Sequence, residues 1–240
     1  MIILQKNRIF FLTSLTIISF AFYTINMLAV RGENTIETVA TPATGKVVIL
    51  DAGHGVPDEG AIGVENITES DINLQITMKV QYLLEQSGCI VILTRSDENG
   101  IFSMDSKTLR QKKASDLNKR VEIGNTSDAD IFVSIHLNKI DASKYWGWQT
   151  FYKNNNEEGK KLAISIQEGL NKTIKKKNNR EALSISNKYI IDNIKIPVTI
   201  VECGFLSNTE EAKLLITDEY QSKIAWGIYI GINNYFLNKT

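Results

Sequence analysis

The sequence is poor in residue types that often define small exported or metal-binding domains. Its 240 residues include only two cysteines, two histidines and three prolines. Two cysteines do not make a disulfide framework, and because Cys89 and Cys203 both lie in apolar stretches we predict that each packs in a core. Lysine plus arginine and aspartate plus glutamate both total 27, so the formal net charge is zero. This balance gives no reason to expect nucleic acid as a partner.

The amino-terminal segment differs in composition from the rest of the chain. Lys6 and Arg8 precede a mostly apolar, uncharged run at 9–30, after which charged residues return. This order indicates an export signal, and the run is long enough for a helix to cross a bilayer. We expect an exported protein held at the membrane by residues 9–30, with a cleaved signal as the alternative. The predicted organisation is a signal-anchor at 1–30, a linker at 31–45 and one domain at 46–240.

Apolar patterns typical of strands and of helices alternate along the predicted domain. Residues 47–50 form a β-branched run that indicates a strand buried on both faces, and 68–87 has helical spacing with Gly88 just beyond it. The succession predicts an α/β fold, a single domain with a mixed, mostly parallel sheet flanked by helices. The other predicted strands are 89–94, 131–136, 148–152 and 196–201, and the other predicted helices are 109–126, 157–174 and the chain from 210 onward.

Imidazole and acidic side chains follow the predicted strands, where ligands gather in α/β sheets. His54 comes after the first strand and His136 closes the third, while Glu69 lies in the first turn of the helix at 68–87. Two imidazoles and a carboxylate suit zinc, which in catalytic sites has three protein ligands. The pattern predicts a Zn²⁺ site at the carboxyl ends of the strands. Separately, each residue also suits a structural role, as a hydrogen-bonded histidine or a carboxylate at a helix start.

Glu202 is the acidic residue that a structural role explains least well. It lies in the apolar stretch 198–205, where an unpaired ionised carboxylate is costly to bury. A carboxylate beside a zinc site can take a proton from water and later pass it to a departing amine. We therefore predict that Glu202 is the catalytic residue.

Several segments, in a fixed order, carry a family resemblance. They are VILDAGHG at 48–55 with GAIG at 60–63, ESDINL at 69–74, LTR at 93–95, residues 120–125, ADIFVSIHLN at 129–138 and VECGFLSN at 201–208. Together they resemble the zinc-dependent N-acetylmuramoyl-L-alanine amidases, the type-3 amidase domain. The resemblance implies the family's mixed α/β fold, a zinc ion bound by His54, Glu69 and His136, and Glu202 as the catalytic carboxylate.

The resemblance also implies a substrate and a setting. Enzymes of this family cut the peptidoglycan amide between the lactyl group of N-acetylmuramic acid and L-Ala of the stem peptide. An export segment and one catalytic domain without wall-binding repeats are similar to the spore-cortex amidases of endospore-forming bacteria, which help to make the muramic-δ-lactam recognised at germination. This implies a place in the cell wall or between the forespore membranes, and a protein that activates or recruits the enzyme.

Two other functions stay open on the same residues. One is a zinc peptidase that acts on the stem peptide, and the other is a noncatalytic wall-binding protein on this fold. Arg120, Asn125 and Asn138 are expected to support the site or to contact the substrate, although Arg120 equally suits a structural role on a helix surface. The chain departs from the family pattern at Val56-Pro57, where a glycine is common, and at 178–193, which matches weakly. Because Pro57 stiffens the loop beside His54, metal affinity is expected to be sensitive to this loop.

Overall fold

A six-stranded sheet is the centre of the computed structural model, which describes residues 18–21, 23–24, 40–63 and 66–239. The strands are β1 (Val47–Ala52), β2 (Ile90–Leu93), β3 (Ile131–Asn138), β4 (Gln149–Lys153), β5 (Leu183–Ile185) and β6 (Val198–Phe205). The helices are α1 (Glu69–Gln86), α2 (Leu109–Thr126), α3 (Glu157–Thr173), α4 (Tyr189–Asn193), α5 (Thr209–Leu215) and α6 (Asp218–Leu237). The single α/β domain predicted from the sequence is confirmed.

The strand order is β2-β1-β3-β6-β4-β5. The first four strands of that order are parallel to one another, whereas β4 pairs antiparallel with β6 and β5 pairs parallel with β4. The mixed, mostly parallel sheet is therefore as predicted. One edge of the sheet consequently collects the carboxyl ends of β1, β3 and β6 together with the amino ends of β4 and β5.

Helices cover both faces of the sheet because both faces of its central strands are apolar. Helices α1, α3 and α6 pack on one face, where Ile76, Ile166 and Ile228 join the larger core cluster. Helices α2 and α4 pack on the other face, where Phe132 and Ile191 belong to the smaller cluster. The strand predicted at 47–50 is buried on both faces, and it extends to Ala52. Cys89 and Cys203 are buried and free, as predicted from their apolar surroundings.

The start of α1 and the loop before it set the position of the first acidic site residue. Thr68 caps the helix by accepting a hydrogen bond from the backbone N–H of Asp71 at 3.3 Å. The helix ends at Gln86, and Gly88 follows with a positive φ of 83°, as expected for a glycine beyond a helix end. Helix α1 therefore begins at Glu69, at the edge of the sheet that collects the carboxyl ends of β1, β3 and β6.

The carboxyl-terminal half departs from the sequence expectations in two places. The region from 210 onward is helical as predicted, but it divides into two helices: α5 ends at Leu215 and α6 starts at Asp218, with Thr217 as its cap. The weakly patterned stretch 178–193 contains β5 and α4, which the sequence analysis did not predict. Both elements are only three to five residues long, too short to show a period.

The compact unit begins at Ala40, five residues before the end of the predicted linker. Ala43 is fully buried, and the side chain of Thr44 donates a hydrogen bond to the carbonyl of Ser87 at 2.8 Å. The last residues of the predicted linker at 31–45 thus belong to the packed unit. Most of the predicted signal-anchor lies outside the residues that the structure describes. The part of it that is described, 18–21 and 23–24, is helical. Within the part of the chain that the structure describes, no helix is long and apolar enough to cross a membrane.

Candidate metal centre

The structure brings together the three residues that the sequence analysis proposed as metal ligands. His54 follows β1, Glu69 is the first residue of α1, and His136 lies near the end of β3. One nitrogen of each ring and one carboxylate oxygen all lie within 4.8 Å of one another. The two rings meet edge to face, with centroids 5.0 Å apart. A three-donor cluster therefore lies at the carboxyl ends of β1 and β3, where the sequence placed it.

The carboxylate of Glu69 joins the two histidines. Its Oε1 lies 3.0 Å from Nδ1 of His136 and 3.3 Å from Nε2 of His54. Oε1 also accepts a hydrogen bond from the backbone N–H of Leu137 at 3.1 Å, and Oε2 accepts one from the N–H of Ala61 at 2.9 Å. Backbone donors on both oxygens fix the carboxylate, so its position does not depend on a bound metal.

The charges in the cluster are strongly coupled. Burial raises the pKa of Glu69, but hydrogen bonds and charge from His136 and His54 outweigh it and hold that pKa well below its usual range. Burial lowers the pKa of His54, yet hydrogen bonds to Asp58 and Glu69 outweigh burial and raise it to about 9. These contacts favour the protonated form of His54, with which a metal ion at its ring nitrogen competes.

Two glycines leave the room that the ligand side chains occupy. A Cβ at Gly53 would overlap the imidazole ring of His136. A Cβ at Gly60 would lie 2.6 Å from Oε2 of Glu69 and 2.7 Å from Cδ2 of His54. Real side chains do not approach so closely, so only glycine permits this packing of the three donors.

The backbone at His54 has an uncommon conformation that its neighbours hold. Its φ is +63°, in the left-handed region that non-glycine residues rarely adopt. The guanidinium of Arg120 donates a hydrogen bond to the carbonyl oxygen of His54 at 2.6 Å and another to that of Ala52 at 2.7 Å. Arg120 itself is tied to the carboxylates of Asp51 and Asp116, each at 2.6 Å. The network clamps the turn that places His54.

A carboxylate also orients the far side of the His54 ring. Oδ2 of Asp58 lies 3.1 Å from Nδ1 of His54, and the ammonium of Lys113 lies 3.0 Å from the same oxygen. A carboxylate on the second ring nitrogen is the usual support of a metal-binding histidine, because it fixes the tautomer and the ring orientation. This arrangement leaves Nε2 of His54 directed at the cluster.

Glu202 lies beside the cluster, as predicted. In the parallel pair of β3 and β6, His136 and Glu202 are register partners. Among the described residues, Oε2 of Glu202 is buried without a hydrogen-bond partner. Burial raises the pKa of this carboxyl, although the charges of His136 and Lys188 oppose the rise. A buried carboxylate oxygen that lacks a protein partner is costly, so a ligand or substrate group is expected to complete it.

The donor set of the cluster fits a catalytic zinc ion. Two imidazole nitrogens and one carboxylate oxygen converge, and three protein ligands with an open position are typical of catalytic zinc. Asp58 supplies the supporting carboxylate, and Glu202, with its unpartnered oxygen, is the strand neighbour of the donor His136. Chemically, such a site can activate water next to a residue able to accept its proton.

Comparison with known proteins gives this site its context. The family model described as N-acetylmuramoyl-L-alanine amidase matches residues 48–234, which include every residue of the cluster and Glu202. The chain belongs to this amidase family.

Relatives of this amidase span most of its length. It is 39% identical over 198 residues to the germination-specific N-acetylmuramoyl-L-alanine amidase of Bacillus subtilis (strain 168), across 82% of this chain and 83% of the relative. The structure of the CwlD amidase from Clostridioides difficile in complex with the GerS lipoprotein matches with a TM-score of 0.79 and 47% identity, over 82% of this chain and 100% of that chain. An N-acetylmuramoyl-L-alanine amidase from Clostridium difficile 630 matches with a TM-score of 0.71 and 30% identity, over 82% and 100%.

The three supporting residues predicted for the amidase have different positions. Arg120 is 1% exposed and supports the backbone of His54, so a role on the helix surface is wrong and direct contact with substrate is excluded. Asn125 bonds the carbonyl of Asn193 and the N–H of Lys195, at the opposite end of β6 from Glu202, and is not part of the site. Asn138 is half-buried two residues beyond His136, so it stays a candidate for substrate contact.

The sequence analysis missed buried residues of the amidase that support the loops carrying the site. Asp51 is fully buried and accepts hydrogen bonds from Arg120, Thr94 and Ser134. Arg95 donates to the carbonyls of Gly53 and Ser70 at 3.1 and 2.8 Å, which joins the loop after β1 to the start of α1. The signal was present, because charged residues directly after buried strands are expected either to act chemically or to pair.

The loop that carries Pro57 is attached to a neighbouring segment. The backbone of Val56 accepts a hydrogen bond from Gly100 at 2.9 Å and donates one to the carbonyl of Glu98 at 2.8 Å. Pro57 itself is exposed. Its effect on metal affinity stays a prediction that acts through the position of Asp58, the next residue.

Proposed function

We propose that this amidase is a zinc-dependent peptidoglycan hydrolase that cuts the bond between the lactyl group of N-acetylmuramic acid and L-Ala of the stem peptide. His54, Glu69 and His136 would hold the zinc ion, and Glu202 would be the catalytic carboxylate. The observation that carries the proposal is the buried, unpartnered oxygen of Glu202 next to a three-donor cluster. A wall-binding protein without catalysis would have no use for that oxygen.

The chemistry divides between the metal and the side chains. A zinc ion held by the three donors supplies Lewis acidity, which polarises the amide carbonyl and makes water easier to deprotonate. Glu202 accepts the proton of the attacking water, and its raised pKa makes it a stronger base for that step. The same carboxyl then donates the proton to the departing amine of L-Ala. Glu69 and Asp58 keep the two imidazole rings oriented during both steps.

The physiological setting follows from the relatives and from the chain's own amino terminus. The relative from B. subtilis is a germination-specific amidase, which supports action in spore-cortex maturation, where removal of stem peptides precedes muramic-δ-lactam formation. Such a substrate lies outside the cytoplasm, consistent with the predicted export segment at 1–30. The CwlD amidase forms a complex with the GerS lipoprotein, which supports a protein partner for this enzyme as well.

A digest of purified peptidoglycan tests the proposal against a zinc peptidase. The zinc-loaded enzyme, with any partner it requires, should release intact stems that begin with a free L-Ala amine, as identified by mass spectrometry. Stems cut at an internal peptide bond would contradict it, because only a peptidase makes them.

Replacement of Glu202 tests the catalytic assignment. Glu202→Gln keeps the volume of the side chain but removes the base, so the rate should fall at least about 100-fold while bound zinc stays equimolar. Glu168→Gln, an exposed carboxylate on α3, is the matched control and should cleave at the normal rate. Retained hydrolysis in Glu202→Gln would rule out its catalytic role.

A further inference from the structure

The reversed direction of β4 and β5 brings residues from the weakly matching stretch 178–193 to the functional edge of the sheet. Because β4 is antiparallel to β6, its first residue, Gln149, is paired with Glu202. Strand β5 runs parallel to β4, so the residues just before it, Arg180 and Glu181, lie at the same edge. This side of the site has no role in the function described so far.

One row of side chains crosses three neighbouring strands at this edge. His136 on β3 pairs with Glu202 on β6, and Glu202 pairs with Gln149 on β4. Two residues further along, the partners Phe151 and Ile200 both belong to the smaller core cluster, so Gln149 and Glu202 project from that same face. Since neighbouring strands lie about 4.8 Å apart, Gln149 is one strand beyond Glu202, on the side away from the metal cluster.

Gln149 holds an arginine in place. Its Oε1 accepts a hydrogen bond from Nη1 of Arg180 at 3.1 Å, while its Nε2 donates to the carbonyl of Glu181 at 3.0 Å. The guanidinium of Arg180 lies 4.7 Å from the centre of the Phe205 ring. Stacking on an aromatic ring and a fixed hydrogen bond restrict the guanidinium to one plane, which lowers the entropic cost of binding a planar anion.

The charge of Arg180 has no carboxylate partner among the described residues. No ion pair involves it, and its Nη2 has no hydrogen-bond acceptor there. The nearby acid Glu211 accepts hydrogen bonds from the backbone N–H groups of Gly147 and Phe205, each at 2.9 Å. Burial raises its pKa, and the charges of Lys176 and Arg180 oppose that rise, but Glu211 and Arg180 are not in direct contact as an ion pair. A half-buried guanidinium with a free edge at a catalytic cleft is suited to a carboxylate of a ligand.

We infer that Arg180, positioned by Gln149, binds a free carboxylate of the stem peptide and makes this carboxylate a determinant of substrate choice. The inference rests on the proposed function. Glu202 gives its proton to the amine of L-Ala, so the peptide part of the substrate leaves on the side of Glu202. Arg180 precedes β5, the second strand beyond Glu202 in that direction, at a separation of about 10 Å that an extended stem peptide spans by its second residue. That residue is a glutamate whose free carboxylate is the group that Arg180 fits.

Two muramoyl dipeptides that differ only at this carboxylate test the inference. One carries the free acid and the other the amide, and both are given to the zinc-loaded full chain. The enzyme should prefer the acid roughly tenfold in kcat/KM, mainly through KM, because a charge-assisted hydrogen bond is lost with the amide. Arg180→Gln should reduce the acid-to-amide ratio to about one. Arg180→Lys keeps the charge without the planar fork and should give an intermediate ratio.

A control and a second readout separate this role from a structural one. Lys177→Gln removes one exposed positive charge from the same segment and should leave the ratio as in the unmodified enzyme. Binding of the dipeptide L-Ala-D-Glu to the Glu202→Gln protein, measured by calorimetry, should weaken about tenfold when Arg180→Gln is added.

Several outcomes would overturn the inference. An unchanged acid-to-amide ratio in Arg180→Gln, or an equal loss on both substrates, would make Arg180 a structural residue only. An unmodified enzyme that cleaves both substrates equally would also refute it, without affecting the amidase assignment. An enzyme that cleaves neither muramoyl peptide would instead remove the proposed function, and the inference with it.

Discussion

The two sides of the active-site edge are built in opposite ways. On the metal side, β1, β3 and the start of α1 carry the donors, and buried ion pairs stand behind them. On the other side, the buried Gln149 and the half-buried Arg180 are held by hydrogen bonds to each other and to backbone carbonyls, without an ion pair. A site that must hold a metal in fixed geometry needs the first construction, and a surface that receives a flexible peptide can use the second.

The metal side is stabilised by a buried ion-pair network in which Arg120 joins Asp51 and Asp116. Burial raises the pKa of Asp51, but the charge of Arg120 and hydrogen bonds from Ser134 and Thr94 outweigh it and hold that pKa below its usual value. Arg120 uses its guanidinium on two carboxylates and two backbone carbonyls. Removal of Arg120 leaves the buried carboxylate of Asp51 without its charged partner, which is the costly case for buried ion pairs.

The largest expected effect is a loss of stability, measured by replacing one arginine with methionine on each side of the edge. Arg120→Met should lower the free energy of unfolding by about 3–5 kcal/mol, because Asp51 stays buried without its partner. Arg180→Met should cost about 1–2 kcal/mol, since it breaks two long hydrogen bonds, of 3.4 and 3.1 Å, at a half-buried position. Urea unfolding of the two variants and the unmodified protein measures both values.

A second variant keeps this test informative if Arg120→Met does not fold. The double variant Asp51→Asn with Arg120→Met removes both charges, and it should recover part of the lost stability. Equal costs for Arg120→Met and Arg180→Met would show that the two sides do not differ as described.

A smaller and more local effect is expected from Gly53→Ala. The added methyl group overlaps the ring of His136, so zinc affinity should fall at least about tenfold while the unfolding free energy changes less than in Arg120→Met. Gly45→Ala, before the amino end of β1, is the control for stability alone: its Cβ meets no atom within 4 Å, but its φ of +74° strains an alanine, so unfolding free energy should fall while zinc affinity stays unchanged. Competition with a chelating dye measures zinc affinity in both. Unchanged zinc affinity in Gly53→Ala would mean that His136 is not a ligand.

The sequence was sufficient for the metal side because long, regular elements carry it. The helix predicted at 109–126 has the observed limits of α2, and the strand-end rule brought His54 and His136 together, although β6 continues to Phe205, three residues past Glu202. The strands there are central and apolar on both faces, so their patterns are strong. The ion pairs of Arg120 were harder to predict, because its partners are 4 and 69 residues away in sequence. A residue pattern does not show which distant carboxylate an arginine contacts.

The substrate side could be predicted only in part. Strand β5 and helix α4 are too short to show a periodic pattern. The antiparallel direction of β4 depends on how the strands assemble in the sheet, which a residue pattern does not show. Unless the direction of β4 is known, Arg180 cannot be assigned to the sheet edge that carries Glu202. The expected role of Asn125 at the site was wrong for a similar reason. It lies in a segment that matches the family, but the sequence does not show that its side chain joins α2 to the chain before β6.

One measurement tests the central claim, that the cluster of His54, Glu69 and His136 makes an amidase centre with zinc. Enzyme stripped of metal by chelation is incubated with peptidoglycan, before and after one equivalent of Zn²⁺ is restored, and the products are identified by mass spectrometry. We expect intact stems with a free L-Ala amine only after zinc is restored. Full release of those stems by the metal-free enzyme would contradict the account.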